Sequence, residues 1–168
     1  MRDSIIKDVN NLVNTVRSRD PFEICDMIDN FNLHFHNLRE KIKGYYLFHN
    51  DIHNIIVDTN LSRQEQRIII GHEIGHARLH TGISQAFHET DISNNTDRIE
   101  FEANQFCAEL LIPDDDFFSA ISFENMVDNI AAELNVPTWL LDCKIRLLNE
   151  KGYNFPYLYK VNIQSITY

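Results

Sequence analysis

The sequence contains few of the residues that characterise several large protein classes. Its 168 residues include 5 Gly, 4 Pro and 3 Cys. Together with 43% hydrophobic and 24% charged residues, this composition excludes a collagenous, disordered or repeat-array chain. It is the composition of an ordinary globular protein that folds by itself.

Disulfide and membrane signals are also lacking. Cys25, Cys107 and Cys143 are odd in number and form no CxxC motif, so we expect free thiols in a reducing compartment. No stretch approaches the roughly 18 uncharged apolar residues of a membrane span, and the opening residues 1–8 contain no apolar signal core. The sequence therefore predicts a cytoplasmic protein.

Positive charge is scarce as well. The chain has 15 Lys and Arg residues against 25 Asp and Glu residues, a formal net charge of −10. Because such a chain repels the phosphate backbone, nucleic acid is an unfavourable main partner. A basic protein is the partner that this charge favours.

The length fits one domain, since domains most often contain roughly 100–150 residues. We expect a single domain over 1–168, with N-terminal helices (1–31), a central part that holds the sheet and the two main helices (32–113), and a C-terminal helical segment with a tail (114–168). A chain of this size buries enough surface to form a core without a metal ion, so any metal is expected to serve chemistry.

Hydrophobic periodicity predicts an α+β protein in which helices dominate. Two short helices open the chain, at about 4–19 and 22–31, because a proline interrupts the pattern between them. Strands are predicted at 33–38, 44–48 and 52–57, the last two as an antiparallel pair. We expect a small, mostly antiparallel sheet that packs against the helix that follows it.

That helix begins at a capping box. Residues 62–65 read Ser-Arg-Gln-Glu, in which the serine and the glutamate satisfy each other's backbone amides, and the apolar pattern predicts a helix over about 63–80. After a predicted loop at 83–95, another helix starts near Thr96, and Pro113 ends it.

The C-terminal part is predicted to be helical. One helix carries the apolar residues between 126 and 134, and Pro137 opens a second helix that Gly152 closes. The aromatic tail, 153–168, is too apolar to be free, and we expect it to pack back on the fold or to pair as an edge strand.

The capped helix carries the HExxH motif His72-Glu73-Ile74-Gly75-His76. Histidines four residues apart lie on one face of a helix, about 6 Å apart along its axis, so both rings can reach one Zn²⁺. Glu73 is rotated by about 100° from His72 and can act on a metal-activated water as general base. Gly75 is a poor helix former, and we expect it to let another element approach the site closely. The structural alternative is a pair of partly exposed histidines on an amphipathic helix.

A catalytic zinc site needs a third protein ligand, and the next helix offers Glu100, Glu102 and Glu109. Glu100 lies about 60° from the centre of the apolar stripe, Glu102 about 100° and Glu109 about 120°. Glu100 is therefore the best candidate and Glu102 the next, while a solvated carboxylate remains the structural alternative. Asn104, one turn after Glu100, is placed to orient a liganding histidine. His80 lies too far along the axis to be a third ligand.

These motifs carry a resemblance to a known family. The segments 71–76 (Gly-His-Glu-Ile-Gly-His) and 100–113 (Glu-Phe-Glu-Ala-Asn-Gln-Phe-Cys-Ala-Glu-Leu-Leu-Ile-Pro) resemble the ImmA/IrrE family of metallopeptidases, and 22–26 resembles an early segment of its ImmA-type members. Cys107 and Ile112 depart from the alanine and methionine that are common in the family, and neither touches the proposed chemistry.

The resemblance implies a zincin-like fold, with zinc held by His72, His76 and Glu100 and with Glu73 as catalytic acid and base. It also implies a cytoplasmic protease of a phage or mobile element that cleaves a helix-turn-helix repressor and so releases the element's genes. In such an enzyme, we expect the strand nearest the metal helix to hold the substrate as an added edge strand.

Two other hypotheses belong to different classes. The chain can be a non-proteolytic regulator, an anti-repressor that binds the repressor and uses the metal only to stabilise its fold. The segment 130–141 also has the rhythm of a helix-turn-helix, but its second helix has few basic residues, so a packed or partner-binding helix pair is the better interpretation.

Overall fold

The computed structural model describes residues 2–38, 42–81, 86–88, 98–121 and 126–155. The tail beyond residue 155 and most of the predicted loop at 83–95 lie outside these ranges. The described elements are α1 (Arg2–Val16), α2 (Pro21–Met27), β1 (Phe31–His36), β2 (Ile42–His49), β3 (Ile52–Asp58), α3 (Arg63–Leu79), β4 (Ala86–His88), α4 (Arg98–Leu111), α5 (Asp114–Ala120), α6 (Val127–Glu133) and α7 (Thr138–Glu150). The predicted helix-dominated α+β class is confirmed.

The second helix is shorter than the sequence predicted. Asp20 caps α2 by accepting from the amide of Phe22, and Pro21 occupies the first turn, where it has no amide to leave unpaired. The helix ends at Met27, and Phe31 is already the first residue of β1. The predicted boundary at residue 31 is wrong because apolar residues before and after a turn continued one helical pattern.

The strands form one mixed sheet in the order β1-β3-β2-β4. The predicted antiparallel pair, β2 and β3, is joined by a two-residue turn in which Asn50 and Asp51 both have positive φ, 51° and 62°. These values belong to the tight hairpin turn that matches the twist of the strands. β1 runs parallel to β3, and β4 pairs antiparallel with β2, so the sheet is mostly antiparallel.

The sheet packs against α3 through its two central strands. A Cβ atom on Gly44 of β2 would lie 2.4 Å from Cγ2 of Ile69, so only glycine fits there. Because β2 pairs with β3 on one side and β4 on the other, the expectation that the strand nearest the metal helix is a free edge is wrong. Among the described strands, the edges are β1 and β4.

α3 begins as predicted. The hydroxyl oxygen of Ser62 accepts from the amide of Glu65, and the Glu65 carboxylate accepts from the amide of Ser62. The helix then passes through the centre of the molecule, where residues 68–77 are all buried. Its neighbour α4 crosses it at Gly71 and Gly75: a Cβ on Gly75 would lie 3.0 Å from the carbonyl oxygen of Ala103. The expected close approach at Gly75 is confirmed.

Helices from both ends of the chain complete the core. α1 lies against α4 and buries one apolar stripe, which consists of Ile5, Val9, Leu12 and Val16. α7 packs on the C-terminal part of α4. Phe155, near the end of the described chain, contacts Phe117 of α5. No described helix is both long and apolar enough to cross a membrane.

Candidate metal centre

Three buried side chains converge where α3 and α4 meet. Nε2 of His76 lies 3.0 Å from Nε2 of His72. One carboxylate oxygen of Glu100 lies 3.2 Å from Nε2 of His72, and the other lies 3.3 Å from Nε2 of His76. Within the described parts of the chain, these residues are the group whose donor atoms are close enough to hold one metal ion. The structure thus brings together the three ligands that the sequence predicts.

The distances fit a small divalent cation. Ligand atoms that lie 2.0–2.1 Å from one Zn²⁺ at tetrahedral angles are roughly 3.3 Å apart. The three observed separations are 3.0, 3.2 and 3.3 Å. Two imidazoles and one carboxylate are also a donor set that zinc accepts in catalytic sites.

Asn104 determines which nitrogen of His72 faces the cluster. Nδ1 of His72 donates to the Asn104 side-chain oxygen, 2.9 Å away. A proton on Nδ1 leaves the lone pair of a neutral imidazole on Nε2, which points to His76 and Glu100. The sequence predicted this orienting contact from the position of Asn104 one turn after Glu100, and the contact is present.

The electrostatics of the cluster favour a cation. Burial lowers the pKa of His72, so its ring is held neutral and able to bind metal. Burial raises the pKa of Glu100, but its contacts with the rings of His72 and His76 outweigh burial and hold the pKa of that carboxyl well below its usual range. A charged carboxylate and a neutral imidazole are the forms that bind metal.

Glu73 lies beside the cluster without a partner. Its side chain is fully buried, and neither carboxylate oxygen has a hydrogen-bond partner among the described residues. Burial, and then the negative charge of Glu100, raise the pKa of Glu73 well above its usual range. An unpaired, buried carboxyl next to a metal site has the position that a general base requires.

The other two glutamates of α4 have different partners. Glu102 accepts from Nε of Arg98 at 2.7 Å and lies 3.4 Å from Nε2 of His80. Glu109 accepts from the buried Lys144 at 2.7 Å. Neither residue joins the cluster, so the geometry favours Glu100 over the second choice, Glu102.

One residue beside the site was missed by the sequence reasoning. Gly44 brings the backbone of β2 next to α3, and a Cβ there would lie 3.8 Å from Oε1 of Glu73. An isolated glycine inside a predicted strand is a signal of close approach by another element, and it could have identified this position.

Comparisons with known proteins define the class to which this chain belongs. The chain belongs to peptidase family M78, whose IrrE N-terminal-like domain matches residues 30–146. The expected resemblance to the ImmA/IrrE family is therefore confirmed.

Two relatives match most of the chain. It is 32% identical over 136 residues to "Uncharacterized immunity region protein 2" of Bacillus phage phi105, covering 81% of this chain and 85% of the phage protein. It is 26% identical over 140 residues to "Metallopeptidase ImmA" of Bacillus subtilis (strain 168), covering 82% of this chain and 81% of that protein.

Proposed function

We propose that the protein is a zinc-dependent endopeptidase that cleaves a helix-turn-helix repressor and thereby derepresses genes of a phage or mobile element. The observation that carries this proposal is the convergence of His72, His76 and Glu100 beside the unpartnered carboxyl of Glu73. We further propose that the whole chain acts as one zincin-like domain in the cytoplasm.

The residues divide into three roles. His72, His76 and Glu100 hold the zinc ion, and Asn104 fixes the ring of His72 through the hydrogen bond to Nδ1. Bound there, zinc would polarise the scissile carbonyl and lower the pKa of a water molecule toward neutrality.

Glu73 moves the proton. Its carboxylate takes a proton from the attacking water, and the resulting carboxylic acid donates that proton to the leaving amine as the peptide bond breaks. Burial and the charge of Glu100 raise the pKa of Glu73, which makes its carboxylate a stronger base for the first step. A carboxyl with many hydrogen-bond donors would be too weak a base for the first step.

The substrate assignment rests on charge and on the relatives. The chain carries a formal net charge of −10, which favours a basic protein such as a DNA-binding repressor and disfavours DNA itself. One relative is named as an immunity region protein and another as Metallopeptidase ImmA. Since β2 is interior, we propose that β4, the sheet edge beyond it, pairs with the extended substrate.

The test is cleavage of the repressor that is encoded beside this protein. Glu73→Gln should retain one zinc ion per chain and abolish cleavage, whereas His72→Ala and Glu100→Ala should lose both. Glu102→Gln is the matched control on α4, and we expect it to keep zinc and activity because Glu102 pairs with Arg98.

The alternative function predicts a different result. If the protein is a non-proteolytic anti-repressor, Glu73→Gln will still derepress the target genes in cells, and wild type will bind the repressor without cutting it. Either finding would reject the peptidase proposal.

A further inference from the structure

A concave surface lies on the sheet edge opposite β4. It is an open groove of about 740 Å³ between α2 and β1, and its lining residues include Phe22, Cys25, Ile28 and Leu33, with Asp26 and Asp29. This volume is in the range of roughly 300–1,000 Å³ that is typical of small-molecule sites. None of these residues belongs to the metal cluster.

The edge of β1 beside the groove has backbone groups that can pair with another strand. The carbonyl of Asn30 accepts from the amide of His53 in β3, and the carbonyl of His36 accepts from the amide of Thr59, just after β3. Successive residues of a strand direct their backbone groups to opposite sides, so Leu33 and Phe35 direct theirs away from β3. In the part of the chain that the structure describes, no strand pairs with this side of β1.

Apolar side chains lie along the same edge. Phe35 is 41% exposed and stacks on Phe22, with ring centroids 6.4 Å apart. Leu33 is half-buried and lines the groove together with Phe22. A strand added to β1 would place every second side chain against this apolar surface.

The charge of the groove selects the partner. Asp26 and Asp29 are exposed, and no Lys or Arg is among the residues that line the groove. One cation, Arg63, lies beside the groove, with its guanidinium carbon 3.3 Å from the centroid of the Phe22 ring at the start of α2. A bound segment therefore gains most from basic residues near Asp26 and Asp29.

We propose that this groove docks an extended segment of the protein substrate, in which apolar and basic residues alternate, as a strand added to β1. This inference rests on the proposed peptidase function. Two strands separate β1 from β4, so the docking edge is about 14 Å from the edge where we place the scissile segment. The groove would thus select the whole substrate protein by a part that is not cut.

Two variants test the two features of the groove. Asp26→Asn with Asp29→Asn removes its charge, and Leu33→Pro removes an amide that points outward, a position where an edge strand tolerates proline. The matched control, Asp128→Asn with Glu133→Gln, removes the same charge from the exposed face of α6. Circular dichroism verifies folding of each variant.

The first measurement is peptide binding in the Glu73→Gln background, where no cleavage can occur. The probes are fluorescent decapeptides of alternating Lys and Val and of alternating Glu and Val. We expect the Lys peptide to bind and the Glu peptide not to bind. The Asp26/Asp29 variant should weaken binding by roughly 3- to 10-fold at low salt and less at high salt, and Leu33→Pro by at least about 10-fold. Equal binding by control and groove variants would overturn the proposal.

The second measurement is cleavage of the whole repressor. The groove variants should raise KM and leave kcat unchanged, since they remove binding that is equal in ground and transition states. A short peptide that spans the scissile bond should be cut equally by wild type and variants. Unchanged KM for the whole repressor would overturn the docking site while leaving the peptidase function intact.

The remaining outcomes separate this inference from the proposed function and from other occupants. If wild type fails to cut the repressor but the Lys peptide binds in a manner that depends on Asp26 and Asp29, the peptidase proposal fails and the docking chemistry stands. If deletion of 157–168 raises peptide affinity, the chain's own C-terminal segment is the occupant. A dimer that the groove variants dissociate would make a second copy the occupant, and either of these two results would overturn substrate docking.

Discussion

Gly75 and Ala103 lie in direct contact where the two helices that carry the metal ligands cross. A Cβ atom on Gly75 would lie 3.0 Å from the carbonyl oxygen of Ala103 and 3.1 Å from its Cα. Gly71, one turn earlier, faces side chains instead: Sγ of Cys107 at 3.2 Å and Cδ1 of Leu111 at 3.5 Å. Since a backbone yields less readily than a side chain, only the first contact fixes the distance between α3 and α4.

This difference predicts unequal effects of two alanine substitutions. Gly75→Ala should push α4 away by a few tenths of an ångström, shift Glu100 and lower zinc affinity by about 10-fold or more. The clash, about 1–3 kcal/mol, will offset the gain in helix propensity of about 1 kcal/mol. Gly71→Ala should leave zinc affinity within about 3-fold of wild type. Competition with a chromophoric chelator measures both, and similar affinities would contradict the geometry.

Asn104 should contribute to metal binding without touching the metal. Asn104→Ala removes the acceptor for Nδ1 of His72, so the ring can adopt the wrong tautomer, and zinc affinity should fall by roughly 10- to 100-fold. Asn104→Asp keeps an acceptor and should restore most of the affinity. An alanine variant that binds zinc as tightly as wild type would show that packing alone orients the ring.

The buried pair of Lys144 and Glu109 should couple α7 to α4 strongly. Lys144 is fully buried and donates to Glu109, 2.7 Å away, and also to Asp114. Lys144→Met leaves a buried carboxylate without its closest cation and should lower the free energy of unfolding by about 3–5 kcal/mol.

Urea unfolding of two further variants separates the pair from simple packing. Lys144→Met combined with Glu109→Leu should recover most of the lost stability, because no charge is then left buried alone. Lys151→Met removes a more exposed lysine that also contacts Asp114, and it should cost no more than about 1 kcal/mol. Additive losses in the double variant would contradict a coupled ion pair.

His53 should make stability depend on pH. Its Nδ1 shares a hydrogen bond with the hydroxyl of Tyr46, 2.9 Å away, and its ring stacks on Phe31. Burial, and then the positive charge of Arg78, lower the pKa of His53 in the folded state. As pH falls, the His53 ring of the unfolded chain therefore takes up a proton before that of the folded chain. The stability that neutral His53 contributes is complete above the unfolded pKa of about 6.5 and is lost as pH falls below it.

His53→Gln should remove this part of the pH dependence. We expect the difference in unfolding free energy between wild type and the variant to shrink as pH falls from 7.5 to 5.5. Chemical denaturation at each pH measures this difference, and a constant difference for His53→Gln would refute the prediction.

Local sequence signals predicted the parts of the site that depend on one helix. The capping box at Ser62 and the apolar period placed the HExxH helix correctly, because both interactions occur between residues that are near each other along the chain. Angular distance from the centre of the apolar stripe alone ranked Glu100 above Glu102 and Glu109. This works because the apolar stripe faces the core, so a side chain near it points toward the neighbouring helix.

The features that depend on pairing between distant segments were not predictable in this way. The alternation of residues in β1 does not specify that it pairs parallel to β3, nor does Gly44 by itself reveal that β2 is interior. Similarly, nothing near Lys144 in sequence indicates that Glu109 will be its partner. These contacts are set by packing of whole elements.

The α1 helix determines how far this protein can be truncated at its N-terminus. The region shared with the family begins at residue 30, whereas the core begins at Ile5, whose side chain is 1% exposed. Deleting 1–29 would uncover the apolar back of α4, the helix that presents Glu100, and such exposed surfaces promote aggregation. For this chain the boundaries of the recognisable family region are therefore not the boundaries of a fragment that can be expressed in soluble form.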